Sequence, residues 1–312
     1  MHSFLLAAAA ASALAAAPEP PIVGGHPATA GDWPAVAAVW FGGQPGCTGV
    51  LVAPDVVLTA AHCGGVATAV TLDHVDWAET GPRLGIIDVI PYPEWWGTYD
   101  VAVLILESDT DVAPSLVATA DSAPADGDAV TLVGWGATDP AGEVFPDMLM
   151  QVDATVWDAD CSGDEWGCHA PVQPGGELVV GGDVVGDFGV DSCSGDSGGP
   201  LYAWTSDGPV VAGLVSRGID GSSTDCGEGG IYVRVDAIAD WVEAETGRVL
   251  LREPVVPVVP VEVPPDAGLL EGGVYAGGAC QTLNAPGVND PGLGLFWLLP
   301  FALVRRRRHG LV

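Results

Sequence analysis

The chain has 312 residues, with 41 Asp and Glu against nine Arg and no Lys, and a formal net charge of −32. Such a field repels nucleic acid and attracts cationic partners, so we expect no nucleic-acid partner. The length suits one large domain with appendages, because all-β domains often reach about 200–250 residues. Adaptation of the surface to salt or solubility explains the acidic composition equally well.

Residues 1–17 have the features of a signal peptide. An apolar run in MHSFLLAAAAASALAAA ends in Ala15, Ala16 and Ala17, which satisfies the small-residue rule for signal peptidase, although the segment lacks Lys and Arg. Export permits disulfides, and seven cysteines in a Gly-rich chain fit an oxidising compartment. We therefore predict an exported protein.

Residues 22–247 have the pattern of an all-β domain. Short Val/Ile/Leu/Thr runs recur between Gly, Pro and Asp turns: PAVAAVWF, TGVLVAP, VVLTAA, DVAVLIL, DAVTLVGWG, VVAGLVSRG and GGIYVRV. Their length and spacing favour a sandwich or barrel. Only DAIADWVEAET, residues 236–246, has apolar residues near helical spacing behind an Asp, which predicts one short C-terminal helix.

The composition changes abruptly after residue 247. Residues 248–291 contain REPVVPVVPVEVPPDAG, and because alternating Val and Pro cannot sustain a helix or a sheet, we predict a disordered, extended linker. Residues 292–312 hold a 13-residue apolar segment, Gly292–Val304, followed by four arginines. The segment is shorter than the ~20 residues that cross a bilayer comfortably. Because a buried core strand is not followed by four arginines, we predict a hydrophobic sorting tail or membrane anchor with a cytoplasmic end.

Three distant segments offer the parts of a hydrolase that attacks acyl carbons. Such an enzyme needs an exposed nucleophile, a base within reach and a group that orients the base. LTAAHC places His62 beside Cys63, YDVAVLIL places Asp100 at the head of an apolar strand, and GDSGGP presents Ser197 among glycines. Each residue alone is also typical of a turn or cap, but together they are candidate catalytic residues. His26, His74 and His169 lack such a context and are interpreted as surface residues.

Six segments in order resemble the trypsin-like serine proteases: IVGG (22–25), TAAHC (59–63), YDVAVLIL (99–106), GWG (134–136), DSCSGDSGGP (191–200) and GIYVRV (230–235). The resemblance implies an all-β fold of two six-stranded antiparallel barrels, with the site in the cleft between them. It implies that Ser197 is the nucleophile, that His62 acts as base and then acid, and that Asp100 fixes the imidazole tautomer. The backbone N–H groups of Gly195 and Ser197 would then form the oxyanion hole.

The resemblance also implies a primary specificity. Asp191 lies six residues before Ser197, where trypsin-like enzymes place the carboxylate at the base of the pocket that selects Arg or Lys. Ser216, Gly218 and Gly230 match further substrate-binding positions, the glycines being small enough to admit a long side chain. Arg217 stands where the family usually has Trp, which changes the surface for upstream substrate residues. The alternative for Asp191 is a solvated loop acid.

Activation is the next implication of the resemblance. A new N-terminus at Ile22 would pair its ammonium with Asp196, beside the nucleophile. Residues 18–21, PEPP, contain no Arg or Lys, so self-activation is not expected. We predict that residues 18–21 are a short propeptide and that a separate activating peptidase removes it.

The cysteines match the resemblance with one departure. It implies Cys47–Cys63 and Cys193–Cys226 disulfides, whereas Val180 replaces the usual partner of Cys161, so Cys161–Cys168 is expected instead. Cys280 is left over. Its setting, GGAC ahead of the apolar segment and arginines, resembles the C-terminal sorting tails of myxobacterial surface proteins and marks it as a candidate for sorting or lipidation.

Together these features predict a serine endopeptidase on the extracellular face of the cell envelope, attached by its tail or released after processing. We expect basic protein or peptide substrates cleaved after Arg or Lys, and no metal or organic cofactor. The scarcity of Lys and Arg would limit self-digestion. Two alternatives are a catalytically silent binding protein of the same fold and a protease with chymotrypsin- or elastase-like preference.

Overall fold

The computed structural model describes residues 21–78, 81–163, 165–182, 184–185 and 188–252. The predicted signal peptide, the linker beyond Arg252 and the tail with Cys280 lie outside these residues. Within the described part, no helix is long and apolar enough to span a membrane.

Two closed barrels of antiparallel strands form the domain, preceded by a tight turn, α1 (Pro21–Gly24), and a short strand, β1 (His26–Pro27). The first barrel consists of β2 (Val36–Phe41), β3 (Gln44–Ala53), β4 (Val56–Thr59), β5 (Ala69–Thr71), β6 (Leu84–Pro91) and β7 (Ala102–Leu106). Their order is β2-β3-β4-β7-β6-β5, and the pairing of β5 with β2 closes the barrel.

The second barrel follows in the chain. Its strands are β8 (Ala129–Gly134), β9 (Met150–Asp158), β10 (Glu177–Gly181), β13 (Pro200–Thr205), β14 (Gly208–Gly218) and β15 (Gly230–Arg234). Between β10 and β13, β11 (Val184–Val185) and β12 (Phe188–Gly189) form a separate hairpin. The order is β9-β10-β15-β14-β13-β8, closed by β8 against β9, with β1 on the outer edge of β9. The predicted fold of two six-stranded antiparallel barrels is confirmed.

The three largest apolar clusters form the cores of the two barrels and the contact between them. Leu51 and Leu104 belong to the core of the first barrel, and Leu178 and Leu201 to that of the second. A third cluster joins the barrels to each other through buried residues of both, including Leu58, Val103, Leu214 and Val233. Since closely packed interiors have low compressibility, loops from the two barrels meet in a fixed geometry.

The predicted C-terminal helix is present as α3 (Val235–Thr246). Earlier in the chain are the short helix α2 (Ala61–Gly64) and two single-turn 3-10 helices, Trp95–Gly97 and Ala170–Val172. In α3, Val235, Ile238, Ala239 and Val242 are buried on one face. The helix ends at Gly247, whose φ of 68° is the left-handed conformation that glycine adopts without strain.

The chain stays packed against the domain beyond the predicted boundary at residue 247. Leu250 is buried, and the Val117 N–H donates to the Leu251 carbonyl at 2.8 Å. Arg248 pairs with Asp55. The folded body therefore includes the first five residues of the segment that composition assigns to the linker.

Candidate active site

His62 and Asp100 meet because their strands are neighbours in the first barrel. His62 is in α2, just after β4, and Asp100 precedes β7, which pairs with β4. The His62 Nδ1 lies 2.8 Å from Asp100 Oδ2, and the His62 backbone N–H donates to Asp100 Oδ1 at 3.2 Å. The backbone contact holds the Asp100 carboxylate beside His62, and the contact to Nδ1 orients the imidazole ring. It places the ring proton on Nδ1, so that Nε2 is free to act as a base.

Ser216 completes the surroundings of Asp100. Its hydroxyl donates to Asp100 Oδ2 at 2.9 Å from the second barrel. Burial alone would raise the pKa of Asp100, but hydrogen bonds from His62 and Ser216 and the attraction of His62 outweigh it, so the pKa lies below its usual value. Hydrogen bonds from residues of both barrels therefore favour the ionised form of the Asp100 carboxylate.

Ser197 lies on the tight turn before β13, and this turn packs against Thr59 and Ala60, which precede His62. The Thr48 N–H donates to the Ser197 carbonyl at 3.0 Å, and Gly198 N–H to Val215 O at 2.8 Å. A Cβ on Gly198 would overlap the backbone of Thr59 and Ala60, so only glycine permits this approach. In the part of the chain that the structure describes, no hydrogen bond joins the Ser197 and His62 side chains. Such bonds often tighten only when substrate binds.

The turn that carries Ser197 also offers two N–H groups. Gly195 has φ +97°, and neither its N–H nor that of Ser197 donates to an acceptor within the described residues. Thr48 Oγ1 donates to the Gly195 carbonyl at 2.9 Å, which fixes the orientation of the adjoining peptide. Thr48 was not singled out from the sequence. Two fixed, unoccupied donors beside a serine are the requirement for an oxyanion hole.

A cavity of about 150 Å³ connects Ser197 with Asp191, and Ser216, Gly218 and Gly230 are among the residues that line it. Asp191 is 2% exposed, and its Oδ2 accepts N–H groups of Gly227 (2.9 Å) and Gly229 (3.1 Å). Its Oδ1 has no hydrogen-bond partner within the described chain. Burial raises the pKa of Asp191 to about 6 despite those backbone bonds. A buried oxygen without a partner is suited to a cationic group that enters the cavity.

Gly230 explains why the cavity stays open. A Cβ at this position would lie 3.3 Å from Asp191 Oδ1, in the space in front of the carboxylate. Gly218, which also lines the cavity, has no atom within 4 Å of such a Cβ.

Ile22 and Asp196 are both buried in the second barrel. Ile22 packs in the same cluster as Val190, and Val23 forms a bridge with Asp191. Asp196 is 1% exposed and accepts N–H groups of Gly136 (2.7 Å) and Cys193 (2.9 Å). Burial raises the pKa of Asp196 to about 7, against the lowering effect of these two bonds. Within this uncut chain Ile22 is still joined to Pro21, so its nitrogen carries no charge.

A second cavity, of about 450 Å³, is lined in part by the serine turn and by residues 44–47 of the first barrel. Ser194 lines both cavities, and Gly195 lines only the second. Its other walls include Trp77, Trp135 and Phe145.

Six cysteines form the disulfides Cys47–Cys63, Cys161–Cys168 and Cys193–Cys226, with Cα–Cα distances of 6.3, 6.2 and 5.3 Å. These are the pairs that the sequence leads us to expect. The first flanks His62, and the last joins the segments that carry Asp196 and the Gly227 N–H donor. The Cys47–Cys63 and Cys193–Cys226 disulfides therefore stabilise the segments that form the candidate site.

His169 differs from the expectation of a surface residue. Its side chain is 23% exposed, and its Nδ1 lies 2.5 Å from the Thr98 carbonyl and 3.6 Å from Glu177 Oε1. It belongs to a polar cluster with Arg217 and the buried Glu177, next to Ser216.

Comparison with known protein families agrees with this geometry: residues 22–242 match the family model described as Trypsin. The chain belongs to the trypsin family. It is 34% identical over 229 residues to a trypsin of Saccharopolyspora erythraea, covering 70% of this chain and 95% of that protein. It is 32% identical over 252 residues to serine protease 56 of Homo sapiens, covering 75% of this chain. The chain spans 40% of the length of that human relative and 38% of the length of its Mus musculus counterpart.

A solved serine protease structure is similar to this fold. It is neuropsin, described as a serine protease expressed in the limbic system of mouse brain, with a TM-score of 0.59 and 25% sequence identity. The alignment covers 72% of this chain and 99% of the neuropsin chain. The family assignment therefore rests on sequence and fold together.

Proposed function

We propose that the protein is a serine endopeptidase that hydrolyses peptide bonds after Arg or Lys. Ser197 is the nucleophile, His62 the general base and then acid, and Asp100 the group that orients His62. Membership of the trypsin family and the 2.8 Å contact between His62 and Asp100 support these roles.

The proposed reaction forms and breaks an acyl-enzyme. His62 Nε2 takes the Ser197 hydroxyl proton as Oγ attacks the carbonyl carbon, and the N–H groups of Gly195 and Ser197 stabilise the resulting oxyanion. One such donor contributes about 3 kcal/mol to transition-state stabilisation. His62 then gives its proton to the leaving amine. A water molecule, deprotonated by the same imidazole, then attacks the acyl carbon; the bond to Ser197 Oγ breaks, His62 returns the proton to Oγ, and the acid product leaves.

The buried Oδ1 of Asp191, which has no hydrogen-bond partner among the residues that the structure describes, carries the proposed preference for Arg and Lys. A cationic side chain that fills the cavity would compensate this carboxylate, whereas an aromatic or small side chain would leave it unpaired. The cavity therefore discriminates by the cost of an uncompensated buried charge. A chymotrypsin- or elastase-like preference lacks this support.

We also propose export and attachment to the outside of the cell envelope. The signal-peptide pattern of residues 1–17 and the apolar, arginine-ended segment at 292–312 support this location. A separate peptidase would free Ile22, because PEPP offers no trypsin-type site. Basic proteins would be attracted by the acidic surface.

The preference is tested with chromogenic peptides that carry Arg, Phe or Ala before the scissile bond. We expect cleavage of the Arg peptide, and Asp191→Asn should lower its kcat/KM about 10²–10³-fold, as expected for loss of a buried charge pair. Asn retains an acceptor for the Gly227 and Gly229 N–H groups, so the change removes mainly charge.

Asp225→Asn is the matched control, because Asp225 lines the same cavity but is exposed. This variant should keep kcat/KM within about threefold of the parent, as exposed charges interact weakly. Preferred cleavage of the Phe or Ala peptide by the parent would refute the proposed specificity.

A further inference from the structure

Arg217 is held beside the candidate site by a buried carboxylate. Its Nη1 donates to Glu177 Oε1 at 2.7 Å and its Nη2 to Glu177 Oε2 at 3.1 Å, which makes a two-bond fork. The Glu177 side chain has no exposed surface, and that of Arg217 is 28% exposed. Such a fork gives the guanidinium a defined position as well as compensating the buried charge.

Two further contacts hold the Arg217–Glu177 pair in place. Arg217 Nη2 also donates to the Gly167 carbonyl at 3.0 Å, in the loop closed by Cys161–Cys168. The His169 backbone N–H donates to Glu177 Oε2 at 2.7 Å, and His169 contacts Thr98, two residues before Asp100. The pair is thus fixed from β10, from the disulfide loop and from the segment that leads to Asp100.

The remaining bond of this cluster determines the orientation of a hydroxyl group. Arg217 Nη1 donates to Ser216 Oγ at 3.2 Å, and Ser216 Oγ donates to Asp100 Oδ2 at 2.9 Å. A guanidinium has donors only, so Ser216 must accept from it and keeps its single proton for another acceptor. Asp100 is that acceptor. Arg217 therefore donates to Ser216, and Ser216 donates to Asp100. The same carboxylate also contacts His62 Nδ1.

We propose that Arg217 is a positioning residue that directs the Ser216 hydroxyl proton onto Asp100 and so stabilises the ionised, His62-oriented form of that carboxylate. The role rests on the proposed function, since Asp100 affects the reaction only through His62. Among the described residues, Arg217 donates to Glu177, Ser216 and Gly167 and makes no hydrogen bond to His62 or Ser197, so it acts through Ser216.

A double-mutant cycle tests whether Arg217 acts through Ser216. Removing Arg217 alone would leave Glu177 as an unpaired buried charge, so the variant combines Arg217→Met with Glu177→Gln. In protein that begins at Ile22, this pair should lower kcat for the Arg peptide about fivefold with little change in KM. In a Ser216→Ala background the same pair should cause no further loss, because the hydroxyl that carries the effect is absent.

Two single variants separate positioning from folding. Glu177→Gln keeps the Arg217 donor to Ser216 and should keep most of kcat, and Arg217→Lys retains one donor and should recover part of the loss. Equal losses in the presence and absence of the Ser216 hydroxyl would overturn the proposal.

A spectroscopic readout does not depend on turnover. In Ser197→Ala protein, the ¹H NMR resonance of His62 Nδ1–H reports its bond to Asp100. We expect the Arg217→Met/Glu177→Gln pair to shift this resonance and Glu177→Gln alone to shift it less. An unchanged resonance in the pair would contradict the positioning role. If the resonance shifts but the parent enzyme cleaves no peptide, the proposed function fails while the positioning role stands.

Discussion

At the scale of single residues, Asp191 links the fold to pH dependence. Its pKa is about 6 because it is buried, so it is largely protonated at pH 5 and ionised at pH 8. An amidinium ligand binds the ionised form, and its affinity should therefore rise as pH increases through 6 and level off above 7.

The measurement is calorimetric titration of the Ser197→Ala protein with benzamidine. Between pH 7 and pH 5 we expect the affinity to fall about tenfold, in proportion to the ionised fraction. The Asp191→Asn protein should bind weakly with no such dependence. A dissociation constant that is constant from pH 5 to 8 in the parent would contradict the assignment of Asp191 as the cation partner.

Single residues also show where sequence reasoning stops. His62, Asp100, Ser197 and Asp191 lie in short, specific segments, so their identity is visible before the fold is known. Glu177 and Arg217 carried a weaker signal: each is a charge within an apolar strand, ELVVG and VVAGLVSRG, and each needs a buried partner. That they partner each other depends on the pairing of β10 and β14 with β15, which no local pattern reveals.

At the scale of elements, the Ile22 segment predicts a difference between cut and uncut protein. In the uncut chain, the pKa of Asp196 is about 7, well above its ordinary value. The folded state then binds more protons than the unfolded state between about pH 4 and 7, so stability falls as pH rises through this window. A free Ile22 ammonium beside Asp196 would lower the pKa of Asp196, and this decrease in stability with rising pH would disappear.

Urea unfolding of Ser197→Ala protein, with residues 18–21 present or absent, measures this difference. From pH 4 to 7, the free energy of unfolding of the uncut form should fall by on the order of 2–4 kcal/mol relative to the cut form. The Asp196→Asn substitution should abolish this difference between the uncut and cut forms, because the contribution of Asp191, whose pKa is also raised, is common to both. Parallel pH profiles for the cut and uncut forms would show that Ile22 does not pair with Asp196.

Strands with Val-rich runs, such as β7 and β14, were predictable because their residues are buried on both faces. The strand β9, MQVDATVWD, was not singled out, although its alternate residues Met150, Val152, Ala154 and Val156 are buried. Its signal is period-two alternation rather than an apolar run. The strand β6, LGIIDVIP, was not singled out either, because Asp88 interrupts its apolar run; none of its residues is fully buried. Closure of the barrels follows from pairings distant in sequence, and the resemblance supplied that part of the prediction.

At the scale of the whole molecule, the net charge of −32 should affect large basic substrates more than small ones. Salt screens charges that are more than about 10 Å apart at 0.1 M, but affects a contact inside the Asp191 cavity much less. Between about 50 and 500 mM NaCl, we expect KM for protamine to rise about tenfold and KM for an Arg tripeptide to change less than about twofold. Equal changes for both substrates would mean that the acidic surface does not attract substrate.

The central claim, a Ser197-dependent endopeptidase switched on at Ile22, is tested most directly by one paired measurement. Intact mass and N-terminal sequence define the form of the protein, and the same sample is assayed on the Arg peptide alongside its Ser197→Ala variant. The account predicts cleavage by protein that begins at Ile22, little cleavage by protein that retains residues 18–21, and none by Ser197→Ala. Protein that begins at Ile22 and cleaves none of the Arg, Phe or Ala peptides would contradict it and favour a catalytically silent binding protein.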